Sequence, residues 1–317
     1  MNQAIQLLKQ IVSFALVYWK WILLVLAVLL VWRWIRKLRS RKVTVKVQHT
    51  IKLEEPTGDT RIIHTQGYTP LNNGDAGTRK VLQVAGVEFP FRWCPPGSFM
   101  QGSPAKEQNR VAHEIHHCVK LTHGFWMLET PVTQQMWKAI MGENPSYRQS
   151  DTLPVESVDW KNALMFAARL SSLSGTKCAL PTEAQWEYAC RAGSATPFHF
   201  GYALNGTQAN CDGTQPYGLA QRGPSLQKTT QVGIYPPNAW GICDMHGNVW
   251  EWCSDWYGEY PKQQATNPQG PPSGKFRVIR GGCWKSRATE CRSAFRDHAM
   301  PEMKNPRMGF RVVMTEK

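Results

Sequence analysis

Residues 241–257, GICDMHGNVWEWCSDWY, and residues 277–313, RVIRGGCWKSRATECRSAFRDHAMPEMKNPRMGFRVV, carry the densest information in the chain. Trp250, Trp252 and Trp284, with Trp186 upstream, are large rings expected to anchor a core. Arg280, Arg292, Arg296 and Arg311 are expected to brace loops through polar networks. The pair Gly281 and Gly282 suits a tight backbone passage beside that core. Asn248 and Glu251 supply hard oxygen donors within four residues, to which the carbonyls of His246 and Val249 can add, a calcium type of ligand set. The competing reading is that Glu251 pairs with an arginine.

Working outward, residues 195–280 lose helical periodicity and are dominated by Gly, Pro, Asn and aromatic residues, so loops and short strands are expected there. Upstream, PVTQQMWKAIMG (131–142) predicts a helix capped by Thr133 and ending at Gly142. SVDWKNALMFAARLSSLSG (157–175) predicts a second, with Ala163, Phe166, Ala167 and Leu170 on its core face. In LPTEAQWEYACRAG (180–193), Thr182 and Gln185 form a capping-box pattern, with Gly193 as the expected stop. VLQVAGVEFPFRWCPPGSFMQGS (81–103) alternates as an opening strand or hairpin does. No regular repeat is visible.

The chain has 317 residues, 42% of them hydrophobic and 19% charged, so a sizeable core can form. Its 14 tryptophans, 25 glycines and 21 prolines point to an irregular, loop-rich α+β fold. Nine cysteines, an odd number without close metal-type spacing, do not describe a fully paired framework. Cys178 and Cys190, bracketing the third helix, read as buried thiols.

Residues 11–34, IVSFALVYWKWILLVLAVLLVWRW, are apolar except for Lys20 and Arg33, long enough for a single transmembrane helix with no cleavage site after it. Arg36, Lys37, Arg39, Arg41 and Lys42 follow at once, which accounts for part of the net charge of +14 as a lipid-headgroup flank and makes a nucleic-acid partner unneeded. The domains expected are therefore an anchor over 1–42, a linker over 43–80 with a short strand in 43–53, and a globular domain over 81–317. The basic flank places that domain on the cytoplasmic side of a bacterial membrane, with the periplasm as the alternative.

Five stretches together resemble the sulfatase-modifying-factor, or formylglycine-generating enzyme, family: ETPVTQQMW, LPVESVDWKNALMFAARLS, LPTEAQWEYACRAG and the two opening stretches, in that family's order. The resemblance implies a variant of the C-type lectin fold. It also implies a structural calcium at Asn248 and Glu251, with Gly247 permitting the turn, and a second calcium loop beginning at Asn210 and Cys211 whose later aspartate is not evident.

Enzymes of that family hold copper(I) with two cysteine thiolates and oxidise a substrate cysteine to formylglycine. The resemblance puts Cys291 at the second cysteine position and Ser286 at the first. A serine hydroxyl is a hard, neutral donor, so the two-thiolate copper site does not form at these positions. Cys283 is the candidate substitute. His113, His116 and His117 are a further candidate set, for a histidine-bound nonheme iron, although strand alternation through 117–121 sends neighbouring histidines to opposite faces. The other class of function is recognition of a protein or peptide ligand: in related diversified binders the variable positions correspond to Lys285, Arg287, Thr289, Arg292, Ser293, His298 and Met300. The sequence thus favours a membrane-anchored binding protein over a variant copper oxidase.

Overall fold

The computed structural model describes the backbone of Thr50–Glu54 and Thr60–His64 and all of residues 75–315. It comprises two compact units, Met1–Gly67 and Tyr68–Lys317. In the first, β1 (Thr50–Glu54) and β2 (Thr60–His64) pair antiparallel with Thr50 opposite His64, which extends the strand expected in this linker into a hairpin. The expected span over 11–34 lies outside the described residues. Among the described residues no helix is long and apolar enough to cross a membrane.

Among its described residues the second unit is built on three sheets. β3 (Arg79–Val84) and β4 (Val87–Cys94) form the hairpin read from the alternation, turned by Ala85 and Gly86, both with positive φ (51° and 75°), as a two-residue type I′ turn requires. With β7 (Phe125–Leu128), β8 (Lys177–Ala179) and the C-terminal β14 (Val313–Thr315) they make a five-stranded sheet in the order β3-β4-β7-β14-β8. β5 (Gly97–Gln101) and β6 (His117–Leu121) pair antiparallel, and β10 (Ala265–Thr266) adds to β6 in parallel. The third sheet, in the order β12-β11-β9-β13, joins β9 (Trp250–Trp256), β11 (Arg277–Arg280), β12 (Arg296–Ala299) and β13 (Met308–Gly309).

Helix α1 (Gln134–Met141) is capped by Thr133, whose hydroxyl accepts the Met136 N–H at 3.2 Å. Helix α2 (Trp160–Ser174) is capped by Asp159 and ends at Gly175 in the left-handed region (φ 67°). Its Ala163, Phe166, Ala167 and Leu170 are all buried, as the 3.6-residue period requires. Phe166 stacks on Trp137 of α1 (centroids 5.6 Å, planes 4° apart) and meets Phe310 edge-on at 5.3 Å, so the two helices are locked to the C-terminal segment. Helix α3 (Glu183–Arg191) has the reciprocal Thr182/Gln185 capping box. Its first left-handed residue is Ala192 (φ 44°), one position before the expected Gly193 (φ 89°).

Trp186 and Trp252 are fully buried and Trp250 nearly so, as expected of anchors, whereas Trp284 is only half-buried. Between Arg191 and Trp250 the chain forms no helix or strand beyond isolated bridges such as Leu204 with Tyr217.

Candidate functional site

Three loops meet where the sequence placed its candidate residues. β11 runs into Gly281 and Gly282, with φ of 92° and 76°. A Cβ on Gly281 would lie 3.1 Å from the Trp186 ring, and one on Gly282 would lie 2.5 Å from Cys291 Sγ, so the pair is required by both conformation and space. Beyond it, Ser286 N–H donates to Cys283 O (2.9 Å) to close a turn, and a 3₁₀ turn over Ala288–Cys291 follows. Backbone bonds then tie the loops together: Asp212 N–H to Ser286 O (2.8 Å), Asn248 N–H to Asn210 O (2.8 Å), Gly247 N–H to Gly281 O (2.7 Å) and Trp284 N–H to Asn248 O (3.0 Å).

Buried ion pairs hold this assembly. Arg311 places both arms on Glu251, at 2.7 and 2.8 Å, and Trp186 Nε1–H adds a third bond at 2.8 Å. Arg280 and Arg191 share Glu187 at 2.5 and 2.8 Å, and Arg296 holds Glu183. Burial alone would raise the Glu183 carboxyl, but the Arg296 and Arg280 charges outweigh it and keep the group below its ordinary value. All four arginines expected to brace loops do so, and their partners lie far away in sequence.

The proposed calcium set does not converge. Asn248 Oδ1 accepts the Thr230 N–H (3.0 Å) and an Asn210 Nδ2 hydrogen (3.1 Å), while its Nδ2 donates to Thr230 O. Glu251 is engaged by Arg311 and Trp186. These residues therefore do not fit calcium as a shared Asn248–Glu251 pair, and the arginine pairing is what Glu251 makes. Asn210 Oδ1 is a buried oxygen without a hydrogen-bond partner, one hard donor only. Its neighbour Cys211 turns its thiol into an apolar cluster. Asp244, not singled out in the sequence, is a buried carboxyl that burial pushes up to about 6, with the Glu251 charge adding to the effect and the Gly233 N–H and Arg311 opposing it.

His246 has a larger part than a carbonyl donor. Its ring is buried against Phe198 and Phe200 and stacked on His199. Nδ1 sits 2.7 Å from Cys291 O, which can only accept, and Nε2 is 3.2 Å from the His199 N–H, which can only donate. These partners set the neutral Nδ1–H tautomer. Burial, with His199 adjoining, accordingly lowers its pKa to about 3. The carbonyl of Val249, the other backbone donor in the expected set, belongs to a buried residue leading into β9.

Of the candidate redox residues, Cys283, Ser286 and Cys291 are all buried. Cys283 Sγ lies 3.6 Å from Ser286 Oγ. The neighbouring Cys211 thiol and burial together push Cys291 well above the usual thiol range, and burial raises Cys283 as well. With a hydroxyl at Ser286, Cys291 is the one thiol of that pair, so these two residues do not supply the two sulfur ligands of a copper(I) centre.

The histidine set is likewise not brought together. His113 Nε2 contacts Arg296 O (3.3 Å), His117 Nδ1 bonds Ile115 O (2.9 Å) with its ring on Tyr260, and His116 points to solvent. Among the described residues no three His, Cys, Asp or Glu side chains converge on a metal position.

On the outer face Lys285, Arg287, His298 and Met300 are exposed and Thr289 is half-buried. Arg292 and Ser293 correct the sequence reading of a ligand-facing stretch. Arg292 is fully buried on Glu114 (2.6 and 2.9 Å) and Glu107 (2.6 Å), and buried Ser293 faces Cys190 Sγ at 3.5 Å. A desolvated guanidinium needs this pairing, so Arg292 serves the framework.

The family model for the sulfatase-modifying factor enzyme 1-like domain matches residues 91–316. The chain belongs to that family. This sulfatase-modifying-factor domain is similar to the formylglycine-generating enzyme of Mus musculus, 34% identical over 210 residues that cover 64% of this chain and 54% of that one. It is also similar to serine/threonine-protein kinase pkn1 of Chlamydia caviae, 32% identical over 246 residues, 68% of this chain and 36% of that one. The chain thus spans about a third to a half of the length of these curated relatives.

Among solved structures, Treponema denticola variable protein 1 aligns with a TM-score of 0.64 at 25% identity, over 74% of this chain and 98% of its own. PvdO from Pseudomonas aeruginosa aligns with 0.64 at 28% identity, over 76% and 99%. The sulfatase-modifying-factor fold, sheet-rich with three helices in its described residues, is therefore the architecture of residues 75–315.

Proposed function

We propose that this family member acts in recognition, binding a protein or peptide ligand on the face around Lys285, Arg287 and Thr289, without the family's copper oxidation of cysteine. The observation that carries the reading is Ser286: the position that resemblance gives to a thiolate holds a buried hydroxyl beside a neutral Cys283 thiol. The exposed cations Lys285 and Arg287 project from a turn whose backbone is fixed by Asp212 and Gln215, so the face is presented rigidly and favours an acidic ligand. Residues 11–34 tether the chain to the membrane in this proposal, with the domain on the cytoplasmic side by its basic flank.

The test pairs two measurements on the purified full chain. Copper(I) is titrated, and a cysteine-containing sulfatase-motif peptide is incubated with the loaded protein and oxygen. No aldehyde by mass spectrometry is expected, and aldehyde that disappears in Cys291→Ala would establish a variant oxidase instead. In parallel, acidic peptides are screened by fluorescence anisotropy. Binding that survives the Lys285→Glu, Arg287→Glu double substitution would place recognition on another face.

A further inference from the structure

The stretch between Arg191 and Trp250, which lacks regular elements, is anchored to the C-terminal loops by a small cluster that includes Phe198, Leu204, Tyr217, Ala288, Cys211 and Cys291. Cys211 and Cys291 are 1% and 0% exposed. The Asp212 N–H bond to Ser286 O and the parallel bridge between Asp212 and Arg287 set Cys211 alongside the turn that leads to Cys291. Gly282 leaves the Cys291 sulfur its space, since a Cβ there would lie 2.5 Å from it. His246 holds the Cys291 carbonyl at 2.7 Å, and Cys211 adjoins Cys291 in the same buried cluster. The third thiol nearby, Cys283, faces Ser286 instead. All nine cysteines are free thiols in this structure.

We propose that Cys211 and Cys291 are a disulfide-forming pair, a covalent staple between the long irregular segment and the C-terminal 3₁₀ turn. The oxidant is a small-molecule disulfide such as oxidised glutathione. One protein thiolate attacks its S–S bond, giving a mixed disulfide and releasing one glutathione thiol. The second protein thiolate then attacks the protein sulfur of that mixed disulfide and releases the other glutathione. Two electrons and the two thiol protons pass to glutathione, and one S–S bond replaces another. Because both thiols are buried, the exchange proceeds during folding or local opening rather than on the closed domain. The inference is independent of whether the domain recognises a ligand.

The experiment oxidises the full chain with a glutathione redox buffer, both as folded protein and during refolding, then alkylates remaining thiols and maps peptides without reduction. The expected result is a cross-linked pair of peptides carrying Cys211 and Cys291, two fewer alkylated cysteines than in the reduced chain, and a higher melting temperature that dithiothreitol reverses. Cys283→Ser keeps the cross-link, whereas Cys211→Ser and Cys291→Ser lose it and accumulate mixed glutathione adducts. Nine alkylatable cysteines in the refolded, oxidised wild-type chain, or a cross-link joining Cys283 to Cys291, would overturn the proposal. Neither readout depends on a variant that folds.

Discussion

Asp255 offers a direct test of how strongly this domain's buried charges are strained. The residue lies on β9, 4% exposed, with Oδ2 accepting the Glu183 N–H (3.0 Å) and the Ser254 hydroxyl (2.9 Å). Burial pushes its carboxyl up to about 7, the nearby Glu183 charge adding to the effect, while those hydrogen bonds and Arg296 oppose it. An acid whose folded value lies above its unfolded one holds its proton more tightly in the folded state. Stability is therefore highest where Asp255 is protonated and is lost as pH rises from about 4 through 7. A rise of about three units corresponds to roughly 4 kcal/mol, fully expressed above pH 7.

Asp255→Asn retains an oxygen for both donors and removes the charge. Urea unfolding of the substituted and parent chains is expected to show a gain of about 4 kcal/mol at pH 8, shrinking toward none near pH 4. Equal or lower stability of the substituted chain at pH 8 would refute the reasoning and mean that Asp255 is ionised without strain.

Two further outcomes follow from the same arrangement. Arg311→Met leaves the Glu251 carboxylate buried with only the Trp186 N–H, and is expected to cost about 3–5 kcal/mol by urea titration; a loss under about 1 kcal/mol would mean that another cation neutralises Glu251. Because Arg311 already supplies that countercharge, removing divalent ions with a chelator is expected to move the melting temperature by less than about 1 °C, and a fall of about 5 °C or more would show an ion sharing these loop oxygens.

The features legible in the sequence are those governed by near neighbours along the chain. The three helices, the caps at Thr133 and Thr182, and the opening hairpin follow from spacing and turn chemistry within a few residues, whereas the Asp159 cap of the second helix is seen only in the structure. The shifted helix end, at Ala192, is a matter of a single residue taking the left-handed conformation. The arginines were legible as bracing groups, but not their partners, since Glu107 and Glu114 reach Arg292 across most of the domain.

The site was less legible for the same reason. Arg292 and Ser293 follow exposed Arg287 closely in sequence, yet the 3₁₀ turn sends them inward. Asn248 and Glu251 have the composition of an oxygen cage, but each finds nearer protein partners. The resemblance places Cys211 in a calcium loop, whereas the Asp212 bond to Ser286 and the bridge between Asp212 and Arg287 set it alongside the turn that leads to Cys291.

The family, the helices, the serine at position 286 and the charge of the outer turn are set by residue identity and short-range geometry, so they are legible along the chain. Tertiary structure decided which buried groups meet. Pairing a guanidinium with a distant carboxylate, or one thiol with another, is settled by how the loops close around the core and by the cost of leaving any of those groups alone inside it.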